Sequence, residues 1–201
     1  MTSPSTLQSA LRRLARAGVT RSSDLERAGI SRTAIARLVS AGQIERVARG
    51  LYRAPESPIS ERSDLAAAAR LAPAGVVCLL SALRFHGLTT QNPFEVWLAI
   101  DRKSWRPRVA HPPLRLVYLS GLSLTEGVEE HSVVRVRVRV FSAAKTVADC
   151  FKFRNKIGTD VAVEALRAYR RLHPKRLDAL WRFAEVDRVA SVMRPYLESI
   201  G

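Results

Sequence analysis

Residues Ser22–Arg53 read SSDLERAGISRTAIARLVSAGQIERVARGLYR. Ser22 or Ser23 caps a short helix through Arg27, with Leu25 and Ala28 inward, and Gly29-Ile30 turns the chain. Ser31 then caps another helix in which Ala34, Ile35 and Leu38 share one face and Gly42 is the stop. Ile44 to Val47 and Leu51 to Arg53 flank Ala48-Arg49-Gly50, which reads as a hairpin with glycine at its turn. Upstream, Leu7, Leu11, Leu14 and Ala15 recur at helical spacing until Gly18. Helix, helix, helix, hairpin is the order of a winged helix-turn-helix.

The third helix is predicted to be roughly 16 Å long at about 1.5 Å per residue. Its apolar face docks on the first two helices and its other face carries Ser31, Arg32, Thr33, Ala36 and Arg37. A rod of this bore enters a major groove about 12 Å wide, N-terminal residues first, with its dipole favouring phosphate nearby. Arg32 is the expected base contact, to guanine. Ser31 and Thr33 are expected on bases or phosphates, and Arg37, one turn on, on the backbone. Arg46, Arg49 and Arg53 lie on the wing, with Arg49 at its tip for a minor groove or a phosphate. Arg21 and Ser22 complete the expected DNA-binding set. Residues 1–60 hold ten arginines against four carboxylates, a net of +6. Each arginine alone reads as a solvated charge; their grouping on one scaffold points to DNA, with a protein-binding winged helix as the alternative.

The whole chain has 201 residues, with 33 Lys and Arg against 18 Asp and Glu, a formal +15. Such a balance points to a polyanion (nucleic acid, a membrane surface or an acidic protein) unless an Arg- and Ala-heavy composition reflects only the genome. Apolar residues at 47% exclude a wholly disordered chain. Cys78 and Cys150 sit in apolar runs without a CxxC pair, so buried thiols are expected rather than a metal site or disulfide scaffold. The start, MTSPSTLQS, lacks a signal-peptide apolar core, and Gly75 to Leu83 is too short to span a bilayer. A soluble cytoplasmic protein is the expectation, with no membrane partner.

The prolines of Ala54-Pro55-Glu56-Ser57-Pro58 break the chain. They divide a winged-helix domain, residues 1–56, from a larger domain, residues 60–201. In the latter, helices are predicted over Glu61–Leu71, Val76–Phe85, Ala143–Phe153, Asp160–Leu172, Lys175–Glu185 and Arg188–Ser199, the last kinked at Pro195. Strands are predicted over Phe94–Ile100, Leu114–Leu119 and Val133–Phe141. The fold class is α+β: the winged helix, then a mixed domain with helices against a mostly antiparallel sheet.

Arg135, Arg137 and Arg139 alternate with valines, which places them on one strand face. That face is either a guarded exposed edge or a basic strip for DNA backbone or an acidic partner. Lys145 and Asp149 stand one helical turn apart, Lys152, Arg154 and Lys156 form a second basic group, and Thr159 caps the following helix. The segment reads as a helix pair held by internal polar bonds or as a partner-binding surface. Asp101-Arg102-Lys103 after an apolar strand raises a metal-dependent nuclease, with Glu95 as the nearest second carboxylate. A strand-end Asp among basic residues is the plainer explanation. His86, His111, His131 and His173 lack metal-ligand spacing, and His86 reads as a satisfied helix-end histidine. No GxSxG, P-loop or dinucleotide motif is present, so neither an enzyme nor a cofactor is expected.

Gly18 and the run Ser22 to Pro55 resemble the winged helix of AbiEi-type antitoxins. The segments CLLSALRFHGL (Cys78 to Leu88), FEVWLAI (Phe94 to Ile100), AKTVADCFKFRNKIGTDVAVEALR (Ala144 to Arg167) and VMRPYLE (Val192 to Glu198) resemble that family's C-terminal domain. The resemblance implies a transcriptional repressor that binds inverted repeats in its own operon as double-stranded DNA. It also implies an antitoxin opposing a nucleotidyltransferase-like toxin encoded next door. The family's recognition helix matches Ser31 to Ala41 and its wing Ile44 to Arg53. An orphan regulator without a toxin remains the alternative.

Overall fold

The computed structural model describes residues 19–48, 50–55, 61–104 and 112–200. They form two compact units. The first takes in the described residues up to Pro73, with 112–114 and Ser132–Val138. The second is made of Ala74–Ser104, Arg115–His131 and the residues from Arg139 onward.

In the first unit, β1 (Val19–Arg21), β2 (Glu45–Ala48) and β3 (Leu51–Arg53) form a sheet in the order β1-β3-β2, both pairings antiparallel. Between β1 and β2 run α1 (Ser22–Arg27) and α2 (Arg32–Ser40). Gly29, at φ +87°, makes the sharp turn between them, a conformation that carries no steric cost without a Cβ. Ile30 drops into the core beneath that turn with Leu25, Ile35, Leu38 and Ile44, each burial contributing about 1.5–3 kcal/mol. The predicted helices and hairpin are present. β1 is an addition: it joins the hairpin through Val19↔Arg53 and Arg21↔Leu51 and makes the wing three-stranded. The helix expected over Leu7 to Ala15, and Arg49, lie outside the described residues. α3 (Glu61–Leu71) follows, and its Ala67 and Leu71 pack with Val47 and Leu51. The compact unit therefore extends past the proline break.

The second sheet comprises β4 (Val76–Val77), β5 (Val96–Asp101), β6 (Leu114–Leu119), β7 (Val128–Val133) and β8 (Val136–Phe141), in the order β6-β5-β4-β8-β7. β4 runs antiparallel to β5 and parallel to β8, so the sheet is mixed. The helices are α4 (Leu79–Phe85), α5 (Leu122–Thr125), α6 (Ala143–Lys152), α7 (Arg154–Ile157), α8 (Thr159–Leu172), α9 (Leu177–Val186) and α10 (Ala190–Ser199), with Pro195 inside the last. α6 packs against α4, α8 and α9 and is buried from Ala144 to Phe151.

Two predicted elements are corrected. The helix expected from Val76 starts at Leu79. Val76 and Val77 are β-branched, wholly buried and paired with β5, and Val77 is paired with β8 as well, which favours a strand. The single strand expected over Val133–Phe141 is the second arm of a hairpin. Val134 and Arg135, at φ +48° and +60°, form its two-residue turn without glycine or asparagine. Arg135 therefore sits in the turn, not on the strand face.

Candidate nucleic-acid interface

Ser31 precedes α2 with extended backbone, and its Oγ accepts the Ala34 N–H at 3.2 Å. That bond satisfies one of the donors a helix start leaves unpaired. With Ile35 and Leu38 buried, the helical period leaves Arg32, Thr33, Ala36 and Arg37 on the exposed face. Arg32 is 86% exposed, and its Nε donates to Glu26 Oε1 at 2.8 Å. The Glu26 carboxylate holds the Arg32 proton more firmly than usual. Arg37 on the helix and Arg46 on β2 are exposed, and neither guanidinium has a partner among the described residues.

The remaining expected contacts are committed inside the unit. Arg53 and Glu45 are directly opposite on β3 and β2, and Nε and Nη2 of Arg53 reach Glu45 Oε2 at 2.7 and 2.6 Å. Arg53 is only 19% exposed. Arg21 donates from Nη2 to the Arg70 carbonyl at 2.7 Å. Asp24 receives Arg70 Nη1 at 3.1 Å and Arg27 Nη2 at 2.9 Å. Ser22 is half-buried, and its N–H donates to the Gly50 carbonyl at 2.8 Å, locking the wing to the start of α1. Of the cations in the expected contact set, those left for an outside anion among the described residues are Arg32 through its Nη groups, Arg37 and Arg46. Ser31 and Thr33 add exposed hydroxyls beside them.

The second basic set is largely internal. Arg137 is exposed and has a partner. Arg139 is half-buried and donates from Nη1 to the Ala74 carbonyl at 2.7 Å. Lys152 Nζ donates to Ser123 Oγ at 2.8 Å and pairs with Asp187 Oδ1 at 3.1 Å. Arg154 bonds the Phe151 carbonyl at 2.9 Å, and exposed Lys156 stacks over Phe153. Lys152, Arg154 and Lys156 are thus not one free cluster.

The i,i+4 pair on α6 points inward. Wholly buried Lys145 Nζ meets Asp149 Oδ1 at 2.5 Å and Asp187 Oδ2 at 2.9 Å, above the Phe141 ring. Burial and the neighbouring Asp187 charge push Asp149 up to about 8 despite Lys145. Asp187, served by Lys145, Lys152 and Ser123, is held below its ordinary value. Asp187 escaped the sequence reading because nothing near Val186 marks a partner 42 residues from Lys145.

Asp101 Oδ1 accepts the Lys103 N–H at 2.8 Å and closes its own turn, while Glu95 lies 3.9 Å from Arg115. His86 ends α4 with Nε2 2.7 Å from the Phe141 carbonyl, and burial lowers its proton affinity. Cys78 and Cys150 are buried free thiols. Among the described residues no group of His, Cys, Asp and Glu is arranged to hold a metal ion, and no helix is long and apolar enough to cross a membrane.

A capped helix presented on an apolar tri-element core, followed by a three-stranded wing, defines a winged helix-turn-helix unit. Residues 9–55, about a quarter of the chain, match the family described as transcriptional regulator, AbiEi antitoxin. That stretch of the first unit is thus similar to AbiEi-antitoxin transcriptional regulators. No curated protein matches the sequence.

Proposed function

We propose that the first unit binds double-stranded DNA as a transcriptional repressor of its own operon, at an inverted repeat. The single observation that carries this reading is the exposed set Arg32, Thr33 and Arg37 on the capped helix α2. In the docked complex Arg32 contacts guanine in the major groove, Arg37 meets phosphate one turn on, and Arg46 grips the backbone from the wing. The Ser31 hydroxyl, whose oxygen caps the helix, keeps its proton to donate to a phosphate. Arg49, which the sequence puts between β2 and β3, extends this proposed set, whereas Arg21, Ser22 and Arg53 hold the scaffold in shape. A reporter driven by the DNA upstream of the chain's own gene tests the proposal. Repression by the wild type, relieved by Arg32→Ala, is expected; equal expression with and without the protein refutes it.

The second unit is proposed to counteract a nucleotidyltransferase-like toxin. Support comes from the resemblance of residues Cys78 to Leu88 and Ala144 to Arg167 to the C-terminal domain of AbiEi-type antitoxins. Co-expression of the full chain with the product of the adjacent reading frame should restore growth to poisoned cells. Continued arrest refutes this part alone.

A further inference from the structure

We infer that Glu26 is a positioning residue for DNA recognition: it presents Arg32 as a pre-oriented fork, so that α2 reads a guanine rather than wandering onto phosphate. The inference rests on the duplex-binding reading above and adds a specificity determinant outside the recognition helix.

The geometry has three parts. First, Glu26 lies in the last turn of α1 and Arg32 is the first residue of α2, and the turn between them is rigid. The Gly29 N–H donates to the Glu26 carbonyl at 2.9 Å, the Ile30 N–H to the Leu25 carbonyl at 3.0 Å, and the Ile30 side chain is wholly buried. The two side chains therefore meet across a fixed spacing. Second, the carboxylate takes the Nε–H of Arg32, at 2.8 Å. The two Nη groups, which form the end-on pair that matches guanine O6 and N7, stay free among the described residues. An arginine held by Nε keeps its planar fork aimed and loses less rotamer freedom when it docks. Third, Glu26 is a negative charge beside the groove-facing helix start. It repels phosphate while leaving a base edge unaffected, which selects against binding to arbitrary sequence.

The test compares two 20-base-pair duplexes. One is enriched by the wild-type chain from a randomised library; the other is its scrambled counterpart of equal composition. Glu26→Ala should lower the ratio of the two affinities about tenfold, the loss of one bidentate base contact. Affinity for the scrambled duplex should stay constant or rise, since a repelling charge is gone. Glu26→Gln keeps an acceptor for the Nε–H and should recover part of the ratio. In an Arg32→Ala background, Glu26→Ala should change the ratio no further. Glu26 is partly exposed, and an unchanged far-UV circular dichroism spectrum shows that each variant folds. A parallel fall in both affinities marks a merely structural Glu26 and overturns the inference. So does an unchanged ratio in Glu26→Ala, or an Arg32→Ala chain that keeps the wild-type preference. If the wild type binds neither duplex, the DNA-binding reading falls and this inference falls with it. If the wild type prefers the enriched duplex and only Glu26→Ala is silent, this inference falls alone.

Discussion

Replacing Asp149 by asparagine should make the second unit more stable at neutral pH, although it removes a carboxylate from an ion pair. Asp149 Oδ1 accepts from Lys145, but its Oδ2 is buried with no donor facing it. Asp187 takes Lys145, Lys152 and Ser123 as donors at 2.9, 3.1 and 2.9 Å. The better-served Asp187 keeps the charge and Asp149 keeps a proton up to about pH 8. In the unfolded chain that proton leaves near the ordinary value of 3.8. Between these two values the native state binds one proton more, so stability falls as pH rises, by up to about 1.4 kcal/mol per unit. This contribution is complete below 3.8 and lost by about 8. Asp187 has the opposite sign: its lowered value stabilises above 3.8 and fails only as pH falls through the folded value. Asparagine offers a carbonyl to Lys145 and an N–H where the Asp149 proton sits, and does not titrate. At pH 7, roughly three units above the unfolded value, the variant should therefore gain on the order of 4 kcal/mol. Urea unfolding at pH 5, 6, 7 and 8, followed by tryptophan fluorescence and circular dichroism, measures the slope for both chains. Parallel slopes, or an Asp149→Asn chain less stable than wild type at pH 7, would refute the assignment of the proton.

Other perturbations follow from the same geometry. Lys145→Met preserves the stem on Phe141 but strips both buried carboxyls of their shared cation, and urea unfolding at pH 7 should show a loss of about 3–5 kcal/mol. Gly127→Ala forces a left-handed residue at φ +70° and drives its Cβ to 2.8 Å from Lys145 Cβ and 2.9 Å from the Phe183 ring. Gly42→Ala, at φ +67° with open space around it, bears only the backbone cost of about 1–2 kcal/mol. The melting temperature should fall further in the first than in the second, and an equal fall would show that packing at Gly127 is slack. Ser31→Ala removes the cap on α2 and should destabilise the first unit by about 1 kcal/mol in thermal unfolding, with Ser31→Gly restoring most of it.

The first unit was legible because its punctuation is local. Ser31, Gly29 and Gly42 each fix one helix end through chemistry contained within a few residues. β1 was missed because three residues, Val19, Thr20 and Arg21, show no periodicity of their own and become a strand only when β3 supplies the partner. The second unit was harder because its decisive contacts are distant. Val76 and Val77 read as helix until β5 and β8 flank them. The Val134-Arg135 turn lacks the glycine or asparagine that announces a hairpin, and the alternating arginines hid it. Lys145 and Asp149 were correctly placed on one face of one helix. Which way that face points depends on Asp187, and no short-range pattern reveals it. At the candidate interface, sequence placed the helix and its exposed face but could not show which arginines are free. Arg53 opposite Glu45 and Arg21 on the Arg70 carbonyl are consequences of strand register and of α3.

The sharpest trial of duplex binding is its salt dependence. Fluorescence anisotropy of a labelled duplex, titrated with the full chain between about 50 and 200 mM salt, yields the slope of log affinity against log salt. If a protomer neutralises about four phosphates, the slope lies near −3.6, and Arg37→Ala with Arg46→Ala together should make it shallower by about 2. Affinity indifferent to salt, or a slope that survives the loss of both arginines, would contradict a groove-bound α2 braced by its wing.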